Sequence, residues 1–206
     1  MSAVPSAPDG AGWEMELVLG NLEQTQALAE QMAGVLRAGD LLVLSGGLGA
    51  GKTTFTVSLA RALGVSGAVS SPTFVLSRIH RSTCGGPDLI HVDAYRTDAE
   101  GLAAVDLPST AAESVTVVEW GRGIVEEELV GAAGSWLDLE LVPAAAQRDA
   151  AQGGGEHPRQ NASPEIITDF SESEADLEGT ARLARLRGYG PRFAEIPLPW
   201  RGVPRD

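Results

Sequence analysis

Two groups of residues in this chain have the types and spacing to do chemistry. The first is a glycine-rich run of Gly46, Gly47, Leu48, Gly49, Ala50, Gly51, Lys52, Thr53 and Thr54. It fits G-x-x-x-x-G-K-[ST], whose glycines let the backbone turn sharply and bring its N–H groups against phosphate oxygens. In that pattern the lysine, here Lys52, reaches the β- and γ-phosphates of a nucleotide, and the hydroxyl of Thr53 sits on Mg²⁺. The second group is a pair of carboxylates. Asp93 lies in His91-Val92-Asp93-Ala94-Tyr95-Arg96, and Glu119 ends the run Val115–Glu119 just before Trp120. A phosphate cradle binds nucleotide, but hydrolysis also needs a metal shell and a positioned water, and carboxylates at strand ends are the groups that supply them. A lone acid at a strand end is commonly a solvated turn residue. The nucleotide loop is what makes these two candidates.

Such a loop works only between a strand and a helix. Leu41-Leu42-Val43-Leu44 is a short apolar run that predicts a buried strand, and Thr54 to Leu63 reads as a helix stopped by Gly64. The start of that helix adds a partial positive charge where phosphate would lie. Upstream, Trp13–Leu19 alternates and reads as a first strand at a sheet edge, and Leu22–Arg37 reads as a helix in which Thr25 could face the nucleotide, although the sequence favours an ordinary first-turn residue. Downstream, Val69–Phe74 is a loop carrying Ser71, Pro72 and Thr73. Phe74–His80 and Asp88–Tyr95 alternate around Gly85-Gly86, which predicts a hairpin and hence a mixed sheet. Ala99–Val105 suggests a short helix, Val115–Trp120 a buried strand, Ile124–Val130 a short acidic helix and Trp136–Val142 a further strand. Open α/β sheets bind ligands at the carboxyl ends of their strands, which places Glu119 to meet Mg²⁺ alongside Thr53.

With 206 residues the chain suits one domain with tails. The expected division is a disordered tail over 1–12, a nucleotide-binding domain over 13–142, a flexible linker over 143–165, and a C-terminal extension over 166–206. In that extension Arg182–Gly188 reads as a late edge strand followed by an irregular tail. Composition is that of an ordinary soluble protein, with 43% hydrophobic and 21% charged residues. No apolar run approaches the ~18 residues that span a membrane, and the N-terminus does not read as a secretory signal. Cys84 is the single cysteine, which suits a reducing cytoplasm, and His80, His91 and His157 are too scattered for a zinc site. The net charge of −13 argues against a direct grip on nucleic acid phosphates, so involvement with nucleic acid would run through a partner.

The loop at 46–55, Ser71-Pro72-Thr73-Phe74, His91-Val-Asp93-Ala-Tyr95-Arg96 and Glu119-Trp120 occur in that order. Together they resemble the TsaE (YjeE) family, small bacterial ATPases of tRNA threonylcarbamoyladenosine biosynthesis. The resemblance runs from about Leu19 to Val142. It implies a three-layer α/β P-loop fold with a mixed, mostly parallel sheet and an antiparallel hairpin. It implies Mg²⁺ with ATP as substrate, catalytic roles for Lys52, Asp93 and Glu119, and metal binding by Thr53 and Glu119. Ser71, Pro72 and Thr73 would act as a switch loop sensing the γ-phosphate, and Trp120 would lie close to the nucleotide. It also implies a TsaB–TsaD protein complex as partner, tRNA contacted only indirectly, and a cytoplasmic site of action. The chain departs from the family pattern at Gly47, where an acid is usual, at Gly121, where Pro is usual, and at Thr97, where Leu is frequent.

Three rival readings leave signals of their own. A small-molecule kinase would carry an arginine-rich lid, and Arg78, Arg81 and Arg96 are too few and scattered for one. A GTPase-like switch would carry an Asn-Lys-x-Asp signature, but Lys52 is the chain's sole lysine. A non-hydrolysing scaffold would tolerate loss of Lys52.

Overall fold

The computed structural model describes residues 4–69, 77–95, 108–131, 133–144 and 181–201. Within them one seven-stranded sheet organises the chain. Its strands are β1 (Trp13–Leu19), β2 (Leu41–Ser45), β3 (Ser77–His80), β4 (Asp88–Asp93), β5 (Ser114–Glu119), β6 (Trp136–Pro143) and β7 (Arg182–Tyr189), in the spatial order β1-β7-β6-β2-β5-β4-β3. The centre, β6-β2-β5-β4, is parallel. Its two inner strands, β2 and β5, read as near-continuous apolar runs because both faces are covered: all five residues of β2 and all six of β5 are buried. The flanks are antiparallel, with β3 on β4 at one side and β7 and β1 beyond β6 at the other. The sheet is therefore mixed, with the expected hairpin at β3–β4.

Helix α1 (Leu22–Val35) starts where Asn21 Oδ1 accepts the Gln24 N–H at 2.9 Å, while Gln24 reaches back to the Gly20 N–H. Helix α2 (Lys52–Leu63) ends at Gly64, whose φ of 68° is left-handed and whose N–H caps the carbonyls of Ala60 and Arg61. Both helices pack on one face of the sheet, where Leu28, Met32, Phe55 and Leu59 meet Leu42, Leu44, Val117, Leu139 and Leu186. Burying Phe55 alone is worth about 1.5–3 kcal/mol. The other face carries a smaller cluster of Leu41, Val43, Ile90, Val92 and Val118. Val125 and α4 (Glu126–Val130) cover that cluster through Leu129 and Val130, and a single helical turn, α3 (Pro108–Ala111), precedes β5.

Three expectations about the ends of the chain need correction. The segment Arg182–Gly188 is not an edge strand: β7 lies between β1 and β6, paired on both sides. Alternation marks a strand with two unlike faces but does not say whether both its edges are paired, and here Glu14 of β1 and Asp138 and Glu140 of β6 flank Arg187 from its two sides. Residues 4–12 are tied down rather than free, since the Pro5 carbonyl accepts from Arg122 and the Pro8 carbonyl from the Tyr189 hydroxyl. The tail is not irregular throughout: Pro191–Phe193 and Leu198–Trp200 form 3-10 turns, and Trp200 is buried beside Trp13 with ring centroids 6.4 Å apart. The helix expected at 99–105 and most of the expected linker lie outside the described residues.

Candidate functional site

The phosphate loop leaves β2 at Ser45 and enters α2 at Lys52. Its glycines are required by geometry. Gly46 has φ 144°, and a Cβ there would lie 2.4 Å from the Leu141 carbonyl oxygen. Gly49 and Gly51 have φ of 75° and 96°, in the left-handed region. Gly47 faces open space, so an acidic side chain would fit there, and its absence is not steric. Leu48 stands exposed at the apex of the loop. Lys52 is buried and folds back over the loop, donating from Nζ to the carbonyls of Gly46 (3.1 Å) and Gly47 (2.9 Å). The same ammonium sits 3.9 Å from the centroid of the Trp120 ring. Thr53 and Thr54 open α2, and the Thr54 side chain is buried.

The carboxylates arrive from two neighbouring strands. β4 and β5 run parallel in a register that pairs Asp93 with Glu119, and β2 pairs Leu44 with Glu119. Both acids therefore stand at the carboxyl ends of strands, level with the loop. Glu119 is buried and held from two sides. The Thr53 hydroxyl donates to its Oε2 at 3.1 Å, and His91 Nε2 lies 2.8 Å from its Oε1. That bond fixes the ring orientation of His91, which is fully buried and whose Nδ1 has no hydrogen-bond partner among the described residues. Asp93 is also buried, and its Oδ1 accepts the Tyr95 N–H at 2.9 Å. Burial, and then the charge of Glu119, push its carboxyl above the usual carboxylate range against the pull of the Tyr95 amide.

Trp120 follows Glu119 in a left-handed backbone conformation, φ 62°, uncommon for a bulky side chain. Its N–H donates to the Leu44 carbonyl at 2.9 Å, and its ring lies 5.0 Å from that of Tyr95, itself half exposed. The reversal drops the indole over Lys52. Gly121 comes next, and a Cβ there would approach Val118 to 2.6 Å and Val125 to 2.9 Å, so in this packing any side chain would force the valines to shift. Arg122 then anchors the turn from below. It is buried and pairs one guanidinium edge with both oxygens of Asp138, Nε to Oδ1 at 3.0 Å and Nη2 to Oδ2 at 2.7 Å.

Lys52, Thr53, Asp93, Glu119 and Trp120 are thus brought to one place. Ser71, Pro72 and Thr73, with Arg96, lie outside the described residues. Thr25 takes the bland role, its hydroxyl donating to the Asn21 carbonyl. Two contacts went unassigned at the sequence level. His91 carried a readable signal, because i and i+2 in a strand share a face, so the residue two before Asp93 points the same way. Arg122 carried none, since its partner Asp138 is supplied by another strand.

The site's oxygen donors, a threonine hydroxyl and carboxylates, are hard ligands that fit Mg²⁺. Among the described residues no three His, Cys, Asp or Glu side chains form a metal cage. Mg²⁺ in phosphate sites commonly takes one or two protein oxygens and completes its shell with phosphate and water.

A family model described as threonylcarbamoyl adenosine biosynthesis protein TsaE matches residues 19–149. Among relatives called tRNA threonylcarbamoyladenosine biosynthesis protein TsaE, that of Streptomyces coelicolor is 55% identical over 102 residues, 48% of this chain and 69% of its own. That of Mycobacterium leprae is 47% identical over 113 residues, 51% of this chain and 70% of its own. That of Bacillus subtilis is 38% identical over 109 residues, 53% of this chain and 67% of its own. A crystal structure of YdiB from Bacillus subtilis has a similar fold, with a TM-score of 0.56, 24% identity, and coverage of 94% of this chain and 92% of its own.

Proposed function

The chain belongs to the TsaE family of threonylcarbamoyl adenosine biosynthesis proteins, and from that premise we propose that it binds ATP with Mg²⁺ and hydrolyses it to ADP and phosphate. Its work would lie within the complex that modifies adenosine in tRNA. The observation that carries this reading is the Thr53–Glu119 hydrogen bond, 3.1 Å long, which sets a hydroxyl and a carboxylate side by side at the start of the phosphate-loop helix. Thr53 and Glu119 would hold Mg²⁺. The ion would neutralise charge developing on the phosphate oxygens.

The chain's own residues have the remaining work. Backbone N–H groups of the loop and the start of α2 receive the phosphates. Lys52 exchanges its contacts with the Gly46 and Gly47 carbonyls for phosphate oxygens, or shares them, while Trp120 keeps its ammonium shielded from bulk water. His91 holds the Glu119 carboxylate in one orientation. Asp93, two residues further along β4, orients the attacking water or the metal's water shell. Ser71-Pro72-Thr73 would report the γ-phosphate. A TsaB–TsaD complex would stimulate turnover and meet the tRNA, which suits a protein of net charge −13. Among the described residues no helix is long and apolar enough to cross a membrane, and we assign the work to the cytoplasm.

Slow ATP hydrolysis by the isolated protein, accelerated by TsaB–TsaD, is the expected outcome, and equal rates with and without the partners would count against it. Glu119→Ala is expected to remove Mg²⁺-dependent turnover while nucleotide still binds. Normal threonylcarbamoyladenosine in tRNA nucleosides after depletion of the protein would sink the assignment.

A further inference from the structure

We propose that Arg182, the first residue of β7, is a positioning residue for the phosphate loop: it holds the Ala50 carbonyl and so fixes where the Gly51 N–H points. The proposal rests on the nucleotide-binding reading of that loop. Arg182 lies beyond residues 19–149, the span matched to the family, and more than a hundred residues from the loop it touches. It is nevertheless buried, and its Nε–H donates to the Ala50 carbonyl oxygen at 3.0 Å. The side chain lies close to Gly51, where a Cβ would come within 3.1 Å of Nε and 3.7 Å of Cδ and Cζ.

A trans peptide carries its C=O and the following N–H in opposite directions, and no cis bond occurs among the described residues. Pulling the Ala50 carbonyl toward β7 therefore turns the Gly51 N–H away from β7. Gly51 is the residue just before Lys52, where the N–H groups of such loops meet phosphate. The other end of the loop is fixed by the neighbouring strand, since the Leu141 carbonyl of β6 lies against Gly46. Pro143 and Arg182 are register partners, so one antiparallel pair, β6–β7, braces both ends of the loop.

The test uses the full chain and measures affinity for ATP, ADP and inorganic pyrophosphate in Mg²⁺ by calorimetry, with ATP turnover alongside. In R182M, which has no donor, all three ligands are expected to weaken by the same factor, about tenfold or more for loss of a hydrogen bond to a charged group, and R182K, whose ammonium can still donate to the carbonyl, is expected to weaken less. KM for ATP should rise by that factor with kcat unchanged, because a held loop serves ground state and transition state alike. A merely structural defect would instead lower the active fraction, and with it kcat. Parental affinity in both folded variants would overturn the proposal. So would equal weakening in R182K and R182M, since a side chain able to donate to the carbonyl would then restore nothing. If R182M fails to fold, R182L decides on the same criteria. Absence of nucleotide binding in the parent would sink the nucleotide reading itself, whereas parental binding with unchanged variants removes only this role of Arg182.

Discussion

Glu119 is gripped by the Thr53 hydroxyl on one oxygen and by His91 on the other, so its carboxylate plane is fixed before any ligand arrives. Groups that orient a metal ligand commonly change metal affinity or activity by about 10–100-fold when removed. His91→Ala is therefore expected to raise the Mg²⁺ concentration for half-maximal turnover by about that factor. Measuring turnover against Mg²⁺ at saturating ATP checks this, and an unchanged midpoint would remove His91 from the site. Asp93 differs because burial lifts its pKa. A carboxyl whose folded pKa is raised stabilises the fold below its unfolded value and loses that contribution as pH rises through the folded value. Once pH has passed the folded value, the nucleotide-free protein holds a buried charge in a poor environment. Asp93→Asn is expected to raise the melting temperature of the nucleotide-free protein by an amount that grows as pH climbs and vanishes near pH 3, while turnover falls. A difference between the melting curves that does not grow with pH would show that the charge is better compensated than its surroundings indicate.

At the scale of elements, the turn 119–123 carries the site's aromatic. A bulky residue in the left-handed region costs about 1–3 kcal/mol and persists only where neighbours over-determine it. Here the Trp120 N–H extends the β2–β5 ladder to Leu44, Gly121 packs closely against Val118 and Val125, and Arg122 is locked to Asp138. Asp138 and Glu140 are shared with Arg187, which Glu14 also reaches, so the turn, β6, β7 and β1 meet in one ion network. Burial alone would raise the Glu140 carboxyl, yet the two arginines hold it below its ordinary value. Removing one member of a buried ion pair costs about 3–5 kcal/mol, because its partner stays buried and uncompensated. Arg122→Ala should destabilise the protein by about that amount in urea unfolding. Arg122→Met with Asp138→Leu should recover most of the loss. A loss under about 1 kcal/mol for the single variant would show that the network is solvated rather than sealed.

For the whole molecule, the C-terminal segment completes the sheet. β7 fills the gap between β1 and β6, and its end meets theirs. Pro143 pairs with Arg182, and the Ala144 N–H donates to the Ala181 carbonyl at 2.8 Å. Two strand ends that close can be joined by a tight turn. A chain in which residues 146–180 are replaced by a short glycine-containing turn is expected to fold with an unchanged sheet, as far-ultraviolet circular dichroism and cooperative melting would report. A chain ending at Ala144 should aggregate, since β1 and β6 would each lose a partner. A soluble, cooperatively melting truncation would refute the role given to β7. The same burial holds the Tyr189 hydroxyl, which donates to Pro8, un-ionised up to about 12.

The local part of the site was legible in the sequence. Gly46–Thr54 between an apolar run and a helical run specifies strand, cradle and helix, because glycine freedom, hydrophobic period and helix stops are properties of short segments. Glu119 at a strand end followed from the apolar β-branched run before it, Asp93 was legible as lying near the end of an alternating run, and the Gly85-Gly86 turn announced the hairpin. What the sequence could not convey is which distant segments become neighbours. That β7 sits inside the sheet, that Arg182 reaches Ala50, and that Arg122 finds Asp138 all depend on strand order, which no local period encodes. Charge misled for the same reason: arginines alternating along a strand look solvent-bound until the neighbouring strands supply Glu14, Asp138 and Glu140. By itself the sequence determined that a phosphate cradle and two carboxylates exist. Only the tertiary structure decided that Glu119 would be shared between Thr53 and His91, and that Trp120 would lie over Lys52, because those contacts are fixed by register between strands far apart in the chain.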